Sequence, residues 1–279
     1  MKTGKSSLKF LNEKESSRHH YIPELLIKGF TNSENKIYIY DKIKDRIEKN
    51  PRSPKSIFFE TDRNTVNVTS NIDSSFIEEH LYSPIDSKIG PVIEYFKKTR
   101  LNDLQFELEN IAKLELFIIT LFWRIPYSDP LVESLMNQMN ISDSTIRKIK
   151  RSMLAKYIID ELSKSDFHDK KDNVNIREFA NNELILGDNP IVFSKNISKL
   201  EDLGNTDYVF AISSNRIYCK TKEQMSRLDA FFYNAAIIDQ SVRYVCSSNI
   251  NTLNLSMITY NELKRTGGLE YIRSLLFTK

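Results

Sequence analysis

Cysteine is nearly missing from this chain. Cys219 and Cys246 are the only two, too few for a disulfide scaffold and without the paired C-x-x-C spacing of a structural zinc site. Both fall on predicted strands, so two reduced, buried thiols in a cytoplasmic protein are expected. Glycine and proline are also sparse, 7 and 8 of 279 residues, which excludes a collagen-like or low-complexity chain. Long apolar runs are missing too. The longest uncharged one, Leu116 to Trp123, falls well short of the ~20 residues that span a bilayer, so no membrane attachment is expected. Residues 1–17 are polar, lack the apolar segment of a secretory signal, and read as a disordered, mildly basic leader. There is no G-x-x-x-x-G-K-[ST] loop and no G-x-G-x-x-G, which removes those routes to nucleotide binding. A G-x-S-x-G elbow and an H-E-x-x-H helix are missing as well.

What the chain does have is apolar and aromatic material. Hydrophobic residues make up 40% of it, with 16 Phe and 13 Tyr, enough for one large packed domain. The net charge of +3 neither demands nor excludes a nucleic-acid partner.

Periodicity places strands at both ends and helices between them. Alternation over Lys36 to Asp41 predicts a strand, with a hairpin return at Arg46 to Glu48 and a short strand at Val66 to Val68. Helices are predicted over Asp73 to Leu81, Ser83 to Lys98, Leu104 to Trp123, Ser128 to Met139 and Asp143 to Lys164. Asp166 to Asn175 reads as a charged loop. Strands follow at Glu183 to Leu186, Ile191 to Ser194, Tyr208 to Ile212, Arg216 to Lys220 and Ser241 to Ser247. Further helices are predicted at Lys222 to Asp239 and Tyr260 to Leu276. The expected class is α+β: one mostly antiparallel mixed sheet, built from N- and C-terminal segments, packed against a central helical layer. Residues 18–279 then form a single domain with a helical insertion at about 72–167.

The sharpest chemical signal is His19-His20 within Arg18-His19-His20-Tyr21-Ile22-Pro23. Imidazole is the side chain whose ordinary pKa lies nearest neutrality. In an extended segment the two rings point to opposite faces, so one can enter a pocket while the other packs. Asp188-Asn189-Pro190 lies between predicted strands, where Pro190 forces Asn189 to an extended shape and holds a carboxylate in a rigid turn. Arg124 ends the most apolar predicted helix. Glu78, Glu79, His80 and Asp86 form an acidic stretch that reads mainly as a solvated face. Arg147, Lys148, Lys150, Arg151 and Lys156 make a basic helix face suited to solvent or to phosphates. Asp166, His168, Asp169 and Asp172 have metal-ligand chemistry but no fixed spacing, and read as a solvated loop.

The segment RHHYIPELLIKGF, followed by IYIYDK, resembles the N-terminal element of a large microbial domain-of-unknown-function family. Trp123-Arg124-Ile125-Pro126 resembles its helix-ending R-x-P element, and Gly187-Asp188-Asn189-Pro190-Ile191 its Ser-Asp-Asn-Pro-Val turn. Phe210 to Ile217 and Asn234 to Val245 resemble its later strand and its final Asn-rich helix and strand. The likeness runs from about residue 18 to 247. Gly187 stands where the family has Ser, and Ala211-Ile212 where it has Pro-Leu.

The leading expectation is a phosphodiester hydrolase, a ribonuclease acting as a toxin or phage-defence effector. His19 and His20 would transfer protons and Asp188 would orient one imidazole. Arg18 and Arg124 would stabilise phosphate charge, and Tyr21, Asn189, Arg147 and Arg151 would hold the RNA. No cofactor is required; a divalent metal on His20, Glu78 and Asp188 is the alternative chemistry. The competing expectation is a non-enzymatic binding or sensor module for an anionic ligand or a partner protein, compatible with a homo-oligomer.

Overall fold

The computed structural model describes residues 18–69, 72–74, 77–98, 108–144, 146, 148, 151, 174–181, 183–198, 202–203, 206–221 and 228–277. Its elements, in chain order, begin with β1 (Arg18–His20), α1 (Glu24–Ile27), β2 (Tyr38–Asp41), β3 (Arg46–Ile47), β4 (Phe59–Thr61), β5 (Val66–Thr69) and β6 (Ile72–Ser74). The helical middle contains α2 (Ser83–Lys98), α3 (Leu108–Arg124) and α4 (Asp129–Gln138). After it come β7 (Val174–Glu178), β8 (Leu186–Gly187), β9 (Ile191–Phe193), β10 (Tyr208–Ser213), β11 (Arg216–Lys220), α5 (Ala230–Gln240), β12 (Tyr244–Ser247), α6 (Ile250–Thr266) and α7 (Ile272–Phe277). The class is α+β. None of the described helices is long and apolar enough to cross a membrane.

The described strands form two four-stranded sheets, where one was expected, and all their pairings are antiparallel. One sheet has the order β3-β2-β12-β8, so the N-terminal strand does join C-terminal strands, with Tyr40 opposite Val245. The other has the order β7-β11-β10-β9. The chain changes sheet at the Asp188-Asn189-Pro190 turn: β8 pairs with β12 on one side of it and β9 with β10 on the other. Pro190 explains the break, since it offers no N–H to continue a ladder. Two ribbons complete the strands, β1 with β4 and β5 with β6.

A continuous buried cluster joins both sheets to α2, α3 and α5. Aromatic edges make much of the contact: Phe117 of α3 meets Phe210 of β10 with ring centroids 6.4 Å apart, and Phe96 of α2 meets Tyr218 of β11 at 6.1 Å. Helix α5 is apolar on nearly every face because it is covered by β8, β9, α6 and α7. Its one internal amide, Asn234, is buried because it has work there. Its Oδ1 accepts the Ile185 N–H at 3.2 Å, and its Nδ2 donates to Glu183 O at 2.7 Å and Ser256 Oγ at 2.9 Å.

Several predicted elements are corrected. Ile72–Ser74 is a strand and Glu78–Tyr82 a single π-helical turn, not one helix from Asp73. Val174 and Ile176 alternate inward along β7, which begins inside the stretch read as a charged loop to Asn175. The closing helix starts ten residues before Tyr260, at Ile250, because the Asn249 side chain accepts the Asn251 N–H and caps it. It stops at Gly267, whose φ of +76° is the left-handed conformation glycine adopts without strain.

Candidate functional site

Strand β1 is pinned face to face with β4: Arg18 lies opposite Thr61, His19 opposite Glu60, and His20 opposite Phe59. The alternation sends the two imidazoles to different environments. His19 is 2% exposed, and its Nδ1 accepts the buried Asn64 N–H at 3.0 Å. The ring proton therefore sits on Nε2. His20 is half-buried, its ring 5.7 Å from that of Phe59, and the Arg18 guanidinium lies 5.1 Å over the same ring. Directly opposite residues of an antiparallel pair share a face, so Glu60 sits with His19.

The short strand β4 is bracketed by two left-handed residues, Phe58 (φ +56°) and Asp62 (φ +58°). Phe58 is fully buried and bulky, so this conformation is strained and is held by its surroundings. The Phe58 carbonyl accepts the Tyr21 N–H at 2.9 Å, which ties the histidine segment to the turn.

The segment Glu60 to Asn64 forms one wall of a cleft of about 300 Å³. Arg63, Lys148 and Arg151 contribute positive charge to its lining, Glu60, Asp62 and Glu133 negative charge, and Ile77 and Val132 an apolar patch. Two of the cations are fastened to the end of α3. Arg63 Nε donates to Arg124 O at 3.0 Å, and Arg151 Nε donates to Trp123 O at 2.7 Å. Both guanidiniums thereby satisfy helix-terminal carbonyls, and both also grip Asp129. Arg63 bonds its two oxygens at 2.8 and 3.1 Å while reaching Glu60 at 2.7 Å, and Arg151 Nη1 bonds Oδ1. Burial works against the charge on Arg63, but the Asp129 and Glu60 carboxylates more than reverse this and hold its pKa above the usual value. Burial and then the neighbouring Arg63 charge pull Arg151 down. Lys148 Nζ donates to Asp62 O and Thr65 O at 2.9 and 2.8 Å, which braces the turn from outside.

Of the sequence-predicted residues, Arg151 lines the cleft, and His19 and Arg124 lie behind it, bonded to Asn64 and Arg63 of its wall. Tyr21 is 5% exposed. Its phenol is raised far above the ordinary value by burial and then by the charges of Asp188 and Glu60. Asp188 is 4% exposed, and its carboxylate accepts three backbone N–H groups: Val242 at 2.8 Å, Arg243 at 2.7 Å and Tyr244 at 2.9 Å. Burial raises it above the usual carboxylate range against the pull of those donors and of Lys42. The role expected for it, orienting an imidazole, gives way here to holding the loop before β12. Lys42 grips the other side of that loop, with Nζ 2.8 Å from the carbonyls of Ile238, Asp239 and Ser241.

Asn189 is 1% exposed, and its carbonyl accepts from Gln240 Nε2 at 2.7 Å. Arg124, expected to meet phosphate, is 3% exposed. Its Nη1 bonds both oxygens of Asp86 at 3.0 and 2.9 Å, and its guanidinium stacks 4.6 Å over Tyr82. Arg147, Lys150 and Lys156 of the basic face, and the Asp166 to Asp172 group, lie outside the described residues. So does the Glu78 side chain of the metal alternative. Among the described residues no three His, Cys, Asp or Glu side chains are grouped to hold a metal ion.

Glu60, Arg63, Asn64 and Asp129 went unnoticed in the sequence. The one signal that could have found the first three is the polar run Glu60-Thr61-Asp62-Arg63-Asn64 directly after the aromatic pair Phe58-Phe59.

Gly187, the departure from the turn pattern, has a packing cause. A Cβ there would stand 2.2 Å from Ser241 Oγ and 2.8 Å from Ile237 Cγ2. The hydroxyl of Ser241, bonded to Ile237 O at 2.6 Å, takes up the space a residue-187 side chain would need. Gly187→Ser should therefore destabilise the protein by about 1–3 kcal/mol through overpacking. Ser241→Ala should recover part of that loss, read as a coupling in a double-mutant cycle of urea unfolding. Strictly additive costs would show that the two positions do not compete for space.

A family model described as a protein of unknown function (DUF4238) matches residues 18–250. No curated protein and no solved structure matches the chain.

Proposed function

The chain belongs to the DUF4238 family of proteins of unknown function, and from that premise we propose that it binds a small ligand bearing an anionic group in the cleft walled by Glu60 to Asn64. The observation that carries this is the cleft itself, whose wall is the strained turn clamped by His19 from within and Lys148 from outside. Strain of this kind collects at binding and catalytic sites. Size and charge decide the ligand class. About 300 Å³ is the low end of small-molecule sites. Three cations against three carboxylates suit a compact polar ligand, whereas a nucleic-acid track presents a one-signed basic stripe. The HH-Y segment and the Asp188 turn then act as braces.

Thermal melts with inorganic phosphate, nucleoside monophosphates and simple carboxylates test the idea. A ligand at 100 times its Kd should add about 2.7 kcal/mol of stability, and Lys148→Gln should weaken the effect. No shift with any of these anions at millimolar concentration would remove the proposal.

One observation favours a second reading, a ribonuclease of the toxin or defence type. His19 lies opposite Glu60 across the β1–β4 ribbon and Arg63 bonds that carboxylate, and such a set of imidazole, carboxylate and guanidinium supplies proton transfer and charge stabilisation without metal. Incubation with tRNA, rRNA and DNA, with and without divalent metal, separates the readings. RNA turnover that Glu60→Gln abolishes would replace the binding module with a hydrolase.

A further inference from the structure

Resting on the reading of the cleft as an anion site, we infer that Asp129 is a built-in occupant of a two-arginine anion hole, and that a phosphate-type group takes its place when ligand binds. Arg63 and Arg151 converge on this one carboxylate, yet neither depends on it for position. Arg63 is held by Arg124 O, and Arg151 by Trp123 O and, at 3.3 Å, Ile125 O. Their side chains are 8% and 17% exposed, so the fork is rigid and largely desolvated. Asp129 is the most exposed of the three: its side chain is 38% exposed, at the start of α4. Two guanidiniums side by side repel, and an anion between them is what makes the arrangement tolerable. A tetrahedral phosphate dianion offers more acceptor oxygens and more charge than one carboxylate, and paired arginines bind it with charge-assisted, directional bonds. Arg63 and Arg151 both line the cleft, so a ligand lying there reaches them from the open side.

In the ligand-free protein Asp129 competes for its own site, and the measured affinity is lowered by the fraction of molecules in which it occupies the fork. The same contact keeps small anions off until one with enough charge arrives.

Calorimetric titration of the full chain with three probes tests this: inorganic phosphate, a nucleoside monophosphate and a short oligouridylate. The probes distinguish free phosphate, a phosphomonoester and a phosphodiester as the source of the group. Asp129→Asn removes the competing charge and should bind at least one probe about tenfold more tightly than the natural sequence. Phosphate should also raise its melting temperature more than that of the natural protein. Asp129→Ser, which keeps a hydroxyl at the start of α4, is the second variant in case the first folds poorly. Binding by the natural protein with equal or weaker binding by both variants would overturn the Asp129 inference and leave the cleft reading intact. No binding by any of the three proteins would remove the cleft reading itself. Variants that stay unfolded even in phosphate would overturn the inference, since the fork would then need Asp129 to hold it.

Discussion

Replacing Asp188 with Ala should lower unfolding stability by about 3 kcal/mol, because it strips the acceptor from three backbone N–H groups at once. Those donors belong to Val242, Arg243 and Tyr244, at 2.7 to 2.9 Å from the carboxylate. A buried donor left unmet costs about 1–3 kcal/mol, and bonds to an ionised acceptor lie at the strong end. Val242 and Arg243 are exposed residues, so water can reach part of the vacated loop, which keeps the total below three full penalties. Asp188→Asn retains one carbonyl oxygen and should cost roughly half as much. The loss should appear as a lower urea midpoint with unchanged slope. The damage should also reach function at a distance, because this turn is where the chain passes from one sheet to the other. A change under about 1 kcal/mol would mean the three bonds are dispensable and would return the carboxylate to the list of candidate proton-transfer groups.

The turn was legible from the sequence as a rigid element and illegible as a donor trap. Aspartate before Asn-Pro announces a turn through local geometry alone. Its three partners lie 54 to 56 residues away, and no local rule links them to it. The same split recurs elsewhere. Helix α2 was readable to its last residue, Ser83–Lys98, because capping and periodicity are local. The meeting of β2 with β12 followed from having strands at both ends. The second sheet did not, because strand patterning says nothing about which partner a strand chooses. Helix α6 hid its first ten residues, INTLNLSMIT, because their apolar and polar residues are mixed and the inward positions Leu253 and Ser256 are too few to stand out. At the candidate site, residue type was a good guide to importance and a poor guide to exposure. His19, Asp188 and Arg124 look like chemistry in a string of letters; burial to 2–4% is a tertiary fact. Arg151 and Lys148, picked out on the predicted basic face, do line the cleft, whereas Glu60 and Arg63 beside them are ordinary surface types in the sequence and gain meaning only from the turn that collects them.

Replacing His19 with Ala should also cost about 3 kcal/mol, the sum of a cavity and an unmet backbone donor. A catalytic histidine at the mouth of a cleft can be removed with little effect on stability. The environment of His19 argues otherwise. The ring is 2% exposed and accepts the Asn64 N–H, and Asn64 is itself only 6% exposed, so water cannot readily replace the lost acceptor. Asn64 closes the turn that walls the cleft, so loss of the bond should loosen Glu60 to Asn64 and weaken anion binding along with stability. His19→Asn separates the two roles. Its side-chain oxygen can stand near the position of Nδ1 and accept the same N–H, while Nε2 and its proton are gone. If His19 is a brace, the Asn variant should recover at least half of the stability lost in the Ala variant and bind phosphate nearly as well as the natural protein. If His19 transfers protons in an RNA-cleaving reaction, the Asn variant should be stable and inactive. Equal stability of the Ala variant and the natural protein, measured by urea unfolding, would dispose of the brace. His20, half-buried against Phe59 and outside this bond, should lose no more than about 1 kcal/mol on the same change, which makes it the internal control for the pair.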